Sequence, residues 1–254
     1  MLRTRIIPTL LLRNESLVKT VQFRKFTYVG DPTNTVRIFN EIEVDELMIL
    51  DINATKNNYQ PNLKLLKEIA NECFMPLAYG GGIRSLTQAK AVFDIGYEKI
   101  VINTQSIVNP ELIEEISKHY GSQALVVSID VKKNIFGLKT VRSNGGTKKT
   151  NIEPVKWAVE IEKRGAGEIL LTSIDNEGTW NGFDLELIKR VTDAVTIPVI
   201  AHGGAGCIEH IMQVIKKSNA SAVALGSMVV FQKKGKGVLV NFPESSEIEN
   251  SKMK

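Results

Sequence analysis

Two clusters of glycine each follow directly after a short apolar run of the sequence. They are Gly80, Gly81 and Gly82 in the first half of the chain and Gly203, Gly204 and Gly206 in the second. Because glycine has no Cβ, the backbone N–H groups of such a turn can approach an anion closely, and a helix that begins behind it adds a favourable dipole. Asn103–Thr104 and Gly226–Ser227 also follow apolar runs and complete two candidate cradles. The pattern predicts a ligand with a phosphate at each end. The alternative is that the glycines only form tight turns.

Carboxylates stand at the ends of other apolar runs. Asp51 and Asp130 each close such a run, and Asp175 and Glu177 follow another. This is where an α/β barrel places general acids and bases, although a carboxylate there can also act only as a loop cap. Asp130 is the strongest candidate, because the run ALVVSID that it ends is apolar almost throughout.

The histidines and cysteines do not form a metal-binding pattern. His119 and His210 fall in helical stretches, and His202 lies inside the second glycine cluster, where it could contact a ligand. Cys73 and Cys207 are too far apart in sequence for a paired metal or redox motif. We therefore expect neither a metal site nor a cofactor.

Four charged residues stand at the beginnings of apolar runs. They are Arg5, Glu46, Lys99 and Glu168. They can be solvated strand ends, or they can form a ring of two cations and two anions that closes one end of a barrel. Burial of such charges requires that they pair with one another.

The elements that must position these residues alternate along the chain. Near-continuous β-branched and apolar runs, as expected of strands covered on both faces, are separated by segments with a helical period. The predicted strands are 5–11, 46–52, 76–80, 98–103, 124–130, 168–174, 197–201 and 221–226. This order predicts a single-domain α/β protein with a (β/α)8 TIM barrel, and a doubly wound open sheet is the alternative.

An internal repeat supports the barrel. DELMILDI (45–52) recurs as GEILLTSI (167–174), and PLAYGGG (76–82) recurs as PVIAHGG (198–204), both 122 residues later. We therefore expect two repeated half-barrels, with both glycine clusters at the same end.

The domain boundaries follow from the polar segments. The barrel is expected to span residues 1–242, with a hairpin insertion at about 132–150. VLVNFP (238–243) has a strand-like pattern where an eighth helix would stand, and residues 243–254 are expected to form a loose tail.

The composition is that of an ordinary globular protein. The 254 residues are 43% hydrophobic and 24% charged, with a net charge of +4. No apolar run has the length of a membrane span, and the N-terminus lacks a signal-peptide pattern, so a cytoplasmic location without membrane contact is expected. The mild positive charge suits a small anionic substrate, and the absence of basic–aromatic interleaving argues against nucleic acid.

Several motifs together resemble the HisF family, the cyclase subunits of imidazole glycerol phosphate synthase. They lie between about residues 1 and 231 and include RIIPTLL, DELMILDI, PLAYGGGIRS, INTQSIVNPELI, SIDVKK, GAGEILLTSIDNEGT, GFDLELI and IPVIAHGGAG. The resemblance implies a (β/α)8 barrel that forms a heterodimer with a HisH-type glutaminase on its N-terminal face. Ammonia would pass a charged gate and react at the C-terminal rim with a bis-phosphorylated ribosyl-imidazole-carboxamide precursor. The products would be imidazole glycerol phosphate and aminoimidazole carboxamide ribotide.

The resemblance also assigns residues. The gate corresponds to Arg5, Glu46, Lys99 and Glu168, and the phosphate sites to Gly82, Asn103, Thr104, Gly204, Gly226 and Ser227. Further candidate substrate contacts are Lys19, Asp51, Glu177 and His202. The family uses two aspartates as general acid and base, and Asp130 matches the second of them.

The chain departs from the family pattern at the active rim. Leu11 stands where the first catalytic aspartate is expected, and loss of one acid–base group typically lowers the rate by about 10²–10⁴-fold. Glu177 replaces an aspartate, His202 replaces a serine, and VLVNFP replaces the last helix.

These departures resemble a paralogous branch of the family that is linked to surface-polysaccharide genes. Its members are thought to pass ammonia to a third enzyme that amidinates a nucleotide sugar. The alternatives are the histidine-pathway cyclase and a non-catalytic activator of the glutaminase.

Overall fold

A computed structural model of the chain describes residues 4–243, and its strands form one sheet that closes into a barrel. The strands are β1 (Arg5–Arg13), β2 (Ser16–Val21), β3 (Arg24–Gly30), β4 (Leu47–Asp51), β5 (Leu77–Gly80), β6 (Lys99–Ile102), β7 (Leu125–Lys133), β8 (Lys139–Ser143), β9 (Lys148–Lys149), β10 (Glu168–Ser173), β11 (Val199–His202) and β12 (Ala222–Leu225). The helices are α1 (Pro32–Glu41), α2 (Leu63–Asn71), α3 (Leu86–Phe93), α4 (Thr104–Val108), α5 (Glu111–Tyr120), α6 (Pro154–Lys163), α7 (Leu185–Thr192), α8 (Ile208–Ser218) and α9 (Ser227–Val230).

Eight parallel strands form the barrel in the order β1, β4, β5, β6, β7, β10, β11 and β12. The last strand pairs with the first, from Arg5↔Ala222 to Pro8↔Leu225. The other seam between the halves joins β6 and β7, whose register runs from Ile100↔Leu125 to Ile102↔Val127, and β7 pairs onward with β10 from Glu168↔Val126 to Ser173↔Val131. The closure confirms the predicted (β/α)8 barrel and excludes an open doubly wound sheet.

The two faces of the barrel strands bury different sets of side chains. Outward-facing residues such as Ile49, Tyr79 and Ile169 pack with the helices in one large apolar cluster. Inward-facing residues form a second, smaller cluster: Ile7, Met48, Ala78, Val101, Val126, Leu170, Ile200, Ala222 and Ala224. Because both faces are buried, the strands are apolar throughout and do not alternate with polar residues.

The sequence repeat corresponds to opposite walls of the barrel. The repeated segments contain β4 and β10, and β5 and β11, which are the second and sixth and the third and seventh barrel strands. Each half therefore contributes a glycine cluster to the C-terminal end, from opposite sides.

A hairpin of β2 and β3 was not anticipated from the sequence. β2 pairs antiparallel with the end of β1, from Leu11↔Val18 to Arg13↔Ser16, and β3 pairs with β2. At its far end the Gln22 N–H donates to the Glu177 carbonyl at 2.9 Å, beyond β10. The hairpin thus crosses the C-terminal mouth from β1 towards the opposite wall, and we refer to residues 16–30 as the strap.

Two further segments extend the C-terminal face. β8 and β9 continue the sheet from the end of β7, with Val131↔Val141 and Arg142↔Lys149 in register, within the region of the expected hairpin insertion. After α9 the chain makes only an isolated bridge, Phe231↔Val238, so VLVNFP does not form a strand of the barrel. Residues 244–254, which hold most of the expected tail, lie outside the described part of the chain.

Between residues 4 and 243, no helix is long and apolar enough to cross a membrane.

Candidate active site

A cavity of about 490 Å³ opens at the C-terminal end of the barrel. Three polar side chains stand side by side in its wall, because Asp130 of β7, Thr172 of β10 and His202 of β11 are in register on neighbouring strands. All three side chains are buried. The sequence therefore places a carboxyl, a hydroxyl and an imidazole in one row that faces the ligand space.

Asp130 has the properties of an acid–base group. Its Oδ1 accepts a hydrogen bond from Ser128 Oγ at 3.2 Å. Burial raises the pKa of the Asp130 carboxyl to about 7, against the hydrogen bond from Ser128, which favours the charged form. A carboxyl with a pKa near neutrality can both donate and accept a proton at physiological pH.

His202 is held as a neutral imidazole. Its Nδ1 lies 3.0 Å from Thr172 Oγ1. Burial lowers the pKa of His202 to about 3, and the positive charge of Lys19 lowers it further. His202 can therefore exchange hydrogen bonds with a ligand without acquiring a charge.

Position 11 contributes only apolar surface to the cavity. Leu11 lies in the wall, is buried, and pairs in register with Leu50. Neither side chain can transfer a proton. The site therefore holds the second of the two aspartates that the family resemblance implies and lacks the first.

Asp51 acts at least as a loop cap. Its Oδ1 accepts hydrogen bonds from the N–H groups of Asn53 and Ala54, both at 2.9 Å. It also lines the cavity, and burial raises the pKa of its carboxyl. Asp51 therefore caps the loop after β4 and also forms part of the cavity wall.

Glu177 holds the strap over the site. Its Oε1 accepts a hydrogen bond from Thr20 Oγ1 at 2.8 Å, and its Oε2 accepts one from the Phe23 N–H at 2.9 Å. With the bond from Gln22 to the Glu177 carbonyl, three hydrogen bonds fix the end of the strap. Glu177 therefore positions the strap as well as lining the cavity.

Lys19 points from the strap into the barrel mouth and is buried. Its Nζ donates to the Thr9 carbonyl and lies beside Gly226, 3.1 Å from where a Cβ would stand. Burial lowers the pKa of Lys19 to about 8, and the nearby Glu177 carboxylate opposes the shift. Lys19 therefore places a cation in the barrel mouth beside Gly226 of the second candidate cradle.

The first cradle opens into the cavity. Gly82, Asn103 and Thr104 all line it. Gly82 has φ +69°, and a Cβ there would stand 2.6 Å from the Tyr59 carbonyl, so only glycine fits. Three cationic side chains also line this side of the cavity, and they are Lys56, Arg84 and Lys148. The combination suits one phosphate group.

The second cradle lies apart from the first. Gly204, Gly226 and Ser227 are not among the residues that line the cavity, and the strap with Lys19 lies against Gly226. Gly204 has φ +112° and packs against the Gly182 carbonyl, so it also serves a tight turn. Lys19 of the strap thus contacts the second cradle at Gly226, and a shared bis-phosphorylated ligand stays a prediction.

The four charged residues at strand beginnings form a closed ring at the opposite end. Arg5 donates to Glu46 at 2.6 Å and to Glu168 at 2.8 Å. Lys99 Nζ lies 2.9 and 3.0 Å from the two carboxylate oxygens of Glu46 and 3.3 Å from both oxygens of Glu168. Each cation thus bridges both anions, and the solvated-ends alternative does not fit this arrangement.

The sequence did not single out Ser128, Thr172, or the cations Lys56, Arg84 and Lys148. Thr172 could have been found from its position, because it shares the inward face of β10 with Glu168 and Leu170. Lys56 and Arg84 lie on loops and Lys148 on the short strand β9, and only the fold brings them to the cavity. Among residues 4–243 there is no cluster of side chains that could hold a metal ion.

A model of the histidine biosynthesis protein family matches residues 5–235 of this chain. The chain belongs to that family. The matched range covers the whole barrel, including the ring, the cavity and the strap.

Relatives within the family are similar over nearly their full length. A Pseudomonas aeruginosa protein, provisionally named imidazole glycerol phosphate synthase subunit hisF2, is 46% identical over 98% of this chain and 99% of its own. A Vibrio vulnificus protein, provisionally named subunit hisF3, is 43% identical over 97% and 95%. The Streptococcus mutans imidazole glycerol phosphate synthase subunit HisF is 40% identical over 90% and 91%. The chain is thus a HisF-like family member.

Proposed function

We propose that this family member receives ammonia from a HisH-type glutaminase on its N-terminal face and delivers it through the barrel to the C-terminal rim. There it supports amination or amidination of a phosphorylated or nucleotide-sugar acceptor in surface-polysaccharide synthesis. The observation that carries the proposal is the closed ring of Arg5, Glu46, Lys99 and Glu168. Four charges that bridge one another across a barrel floor have no role in binding a sugar phosphate at the far end.

The interior above the ring suits a neutral molecule. The layer between the ring and the cavity is apolar, with Ile7, Met48, Val126 and Leu170 fully buried. An ammonium ion would lose its hydration there without a partner, at a cost of several kcal/mol. Ammonia carries no charge, so the layer favours it over ammonium. The small side chains of Ala78, Ala222 and Ala224 leave the most room.

The N-terminal face carries a feature suited to a partner. Phe74 is 85% exposed in the loop before β5, and its N–H is held by Asn40 Oδ1 at 3.0 Å. An exposed aromatic side chain on a hydrogen-bonded backbone, at the ring end of the barrel, is the type of anchor that protein interfaces use. It supports heterodimer formation with the glutaminase on this face.

The cavity supports a changed acceptor. Leu11 removes one of the two carboxyls that cyclisation of the histidine precursor would use, and Asp130, His202 and the first cradle remain available to a phosphorylated ligand. We therefore assign the final amination to a different acceptor, with a third, amidating enzyme completing it.

A second candidate is the cyclase reaction of histidine biosynthesis, which makes imidazole glycerol phosphate and aminoimidazole carboxamide ribotide. Asp130 favours it, because its position and its raised pKa suit acid–base work. The identity to the Streptococcus mutans HisF protein favours it as well. A non-catalytic activator of the glutaminase is the third candidate, and the open first cradle argues against it.

The test combines the chain with a HisH-type glutaminase from the same genome. Co-purification and glutamine hydrolysis that depends on this chain are expected. Cyclisation of the histidine precursor with saturating ammonium should be at least about 10²-fold slower than for a relative with aspartate at position 11. Cyclisation within about tenfold of that relative would restore the histidine role. The absence of a complex at micromolar concentration would refute the ammonia pathway.

A further inference from the structure

The C-terminal face carries an exposed apolar tip that the proposed function does not yet use. In the turn between β7 and β8, Ile135 is 93% exposed, Phe136 87% and Leu138 60%. Within the described chain these side chains pack against almost nothing. We refer to residues 134–138 as the knob.

The knob is held in one conformation by its own backbone. Asn134 Oδ1 accepts hydrogen bonds from the N–H groups of Phe136 and Leu138, both at 2.9 Å. The Asn134 N–H donates to the Leu138 carbonyl at 2.9 Å, and the Gly137 N–H donates to the Asn134 carbonyl at 3.0 Å. A turn ordered in this way has less backbone entropy to lose when its apolar side chains are bound.

The segment that carries the knob and two others at the C-terminal end of the barrel contain cations and no carboxylates, and Lys139 beside the knob pairs with Asp184 and Glu186 of the α7 end. Residues 16–30, 131–152 and 228–243 contain no Asp or Glu. Their exposed cations are Arg24, Lys25, Lys133, Lys148, Lys149, Lys233, Lys234 and Lys236. We refer to these cations as the basic rim.

The three segments meet at one place on the barrel, the loop after β10. Gln22 Nε2 donates to the Asp175 carbonyl at 2.9 Å, and the Lys133 N–H donates to Asp175 Oδ2 at 2.8 Å. Lys234 Nζ donates to the Thr179 carbonyl at 2.8 Å. The basic rim and the knob therefore form part of one face, and Lys148 of that face also lines the cavity.

We propose that the knob and the basic rim dock the amidating enzyme, through an acidic surface on that enzyme with an apolar socket for Ile135 and Phe136. This inference rests on the proposed function, which requires an acceptor enzyme where the ammonia emerges. A second copy of this chain would bring two basic rims together, and like charges disfavour that contact. An acidic protein surface complements both the charge and the shape of the face.

The experiment uses biolayer interferometry to measure how the chain–glutaminase complex binds a purified amidating enzyme from the same genome, chosen because its amination of a nucleotide sugar depends on that complex. The variant Ile135→Ser with Phe136→Ser should weaken binding by about tenfold or more, since exposed anchors dominate interface energies. Lys133→Glu with Lys149→Glu should weaken it at low salt and less at high salt. Lys67→Glu with Lys118→Glu, on exposed outer helix positions, is the charge-matched control and should bind as wild type.

The variant Phe74→Ser distinguishes glutaminase binding, which the proposed function requires, from docking of the amidating enzyme. It should weaken the glutaminase complex and leave binding of the amidating enzyme unchanged, whereas the knob variant should do the reverse. Unchanged binding by the knob variant or by the rim variant would overturn the docking site, even if glutaminase coupling remains intact.

Two other occupants are distinguished in the same series. Binding of the wild type to vesicles of phosphatidylcholine and phosphatidylserine in equal parts, lost in the knob variant, would assign the face to a membrane. Self-association in sedimentation, lost in the knob variant, would assign it to a second copy. Either result overturns the proposal, and neither is expected.

Discussion

Replacement of Lys99 tests the ammonia pathway most directly. Lys99 Nζ contacts both oxygens of Glu46 and both oxygens of Glu168, at 2.9 to 3.3 Å. Lys99→Ala removes Cγ, Cδ, Cε and Nζ, which deletes both the charge and the bulk from one side of the ring. Lys99→Met removes the charge and keeps a side chain of similar length, so it is the matched control.

The expected loss of stability follows from the ring. Loss of one partner from a buried ion pair costs about 3–5 kcal/mol. Arg5 still bridges both carboxylates at 2.6 and 2.8 Å. We therefore expect a loss in the free energy of unfolding of about 2–3 kcal/mol, below the usual range, for both variants. Urea unfolding of both proteins against the wild type measures it.

The functional readout is the ratio of aminated product to glutamate, measured in the complex with glutaminase and acceptor enzyme. In the wild type the ratio should be close to one. Lys99→Ala should lower it, because ammonia can escape through an unsealed floor, and Lys99→Met should stay closer to the wild type. With saturating external ammonium all three should aminate equally, since the far rim is untouched. An identical ratio in all three proteins under glutamine would refute the pathway.

Three other perturbations address the rim. Leu11→Asp should raise cyclisation of the histidine precursor by more than about tenfold in a direct ammonium assay, with Leu11→Asn inactive as a control; no gain would show that other rim residues also block that substrate. Because burial raises the folded pKa of Asp130 from 3.8 to about 7, the folded protein keeps a proton that the unfolded chain releases, and stability falls as the pH rises through this interval. When the pH is raised from about 5 to 8, the free energy of unfolding, measured with urea, should fall less for Asp130→Asn than for the wild type. An equal fall in both proteins would contradict the raised pKa of Asp130. Glu177→Ala should free the strap and speed tryptic cleavage at Arg24 and Lys25, whereas unchanged cleavage would show that the strap is held elsewhere.

The barrel could be predicted because its strands carry a strong signal. Burial on both faces makes each strand continuously apolar, and the repeat after 122 residues fixed the pairing of the two halves on opposite walls. The contact among the four charged residues could also be predicted, because each lies at the beginning of a parallel strand and parallel strands begin at the same end of the barrel.

The strap could not be predicted because its turns lack the usual residues. Asn14 and Glu15, and then Gln22 and Phe23, all have positive φ values. Turns with positive φ values are normally recognised in a sequence by glycine, or by asparagine followed by glycine. Here tertiary hydrogen bonds, such as those to Glu177, hold backbone conformations that local sequence disfavours.

The surroundings of the two cradles could not be predicted from the sequence either. The glycine pattern predicts two similar turns, and the structure has both at the same end of the barrel. They differ in their neighbours, because Lys19 of the strap, far from either cluster in sequence, lies beside Gly226 of the second cradle. A repeat in sequence therefore predicts equivalent backbone turns and not equivalent surroundings.

The size of the cavity has a consequence for the chemistry at the rim. A single molecule confined to about 490 Å³ has a local concentration of about 3 M, which is an effective molarity that solution cannot supply. Free ammonia at neutral pH is scarce, because almost all of it is protonated. A nitrogen released one molecule at a time into this space would therefore meet its acceptor as if in concentrated solution, while the surrounding medium stays nearly free of it. On the proposed pathway the cavity would therefore concentrate ammonia, and the reaction at the rim could run at a bulk ammonium level too low to support it unaided.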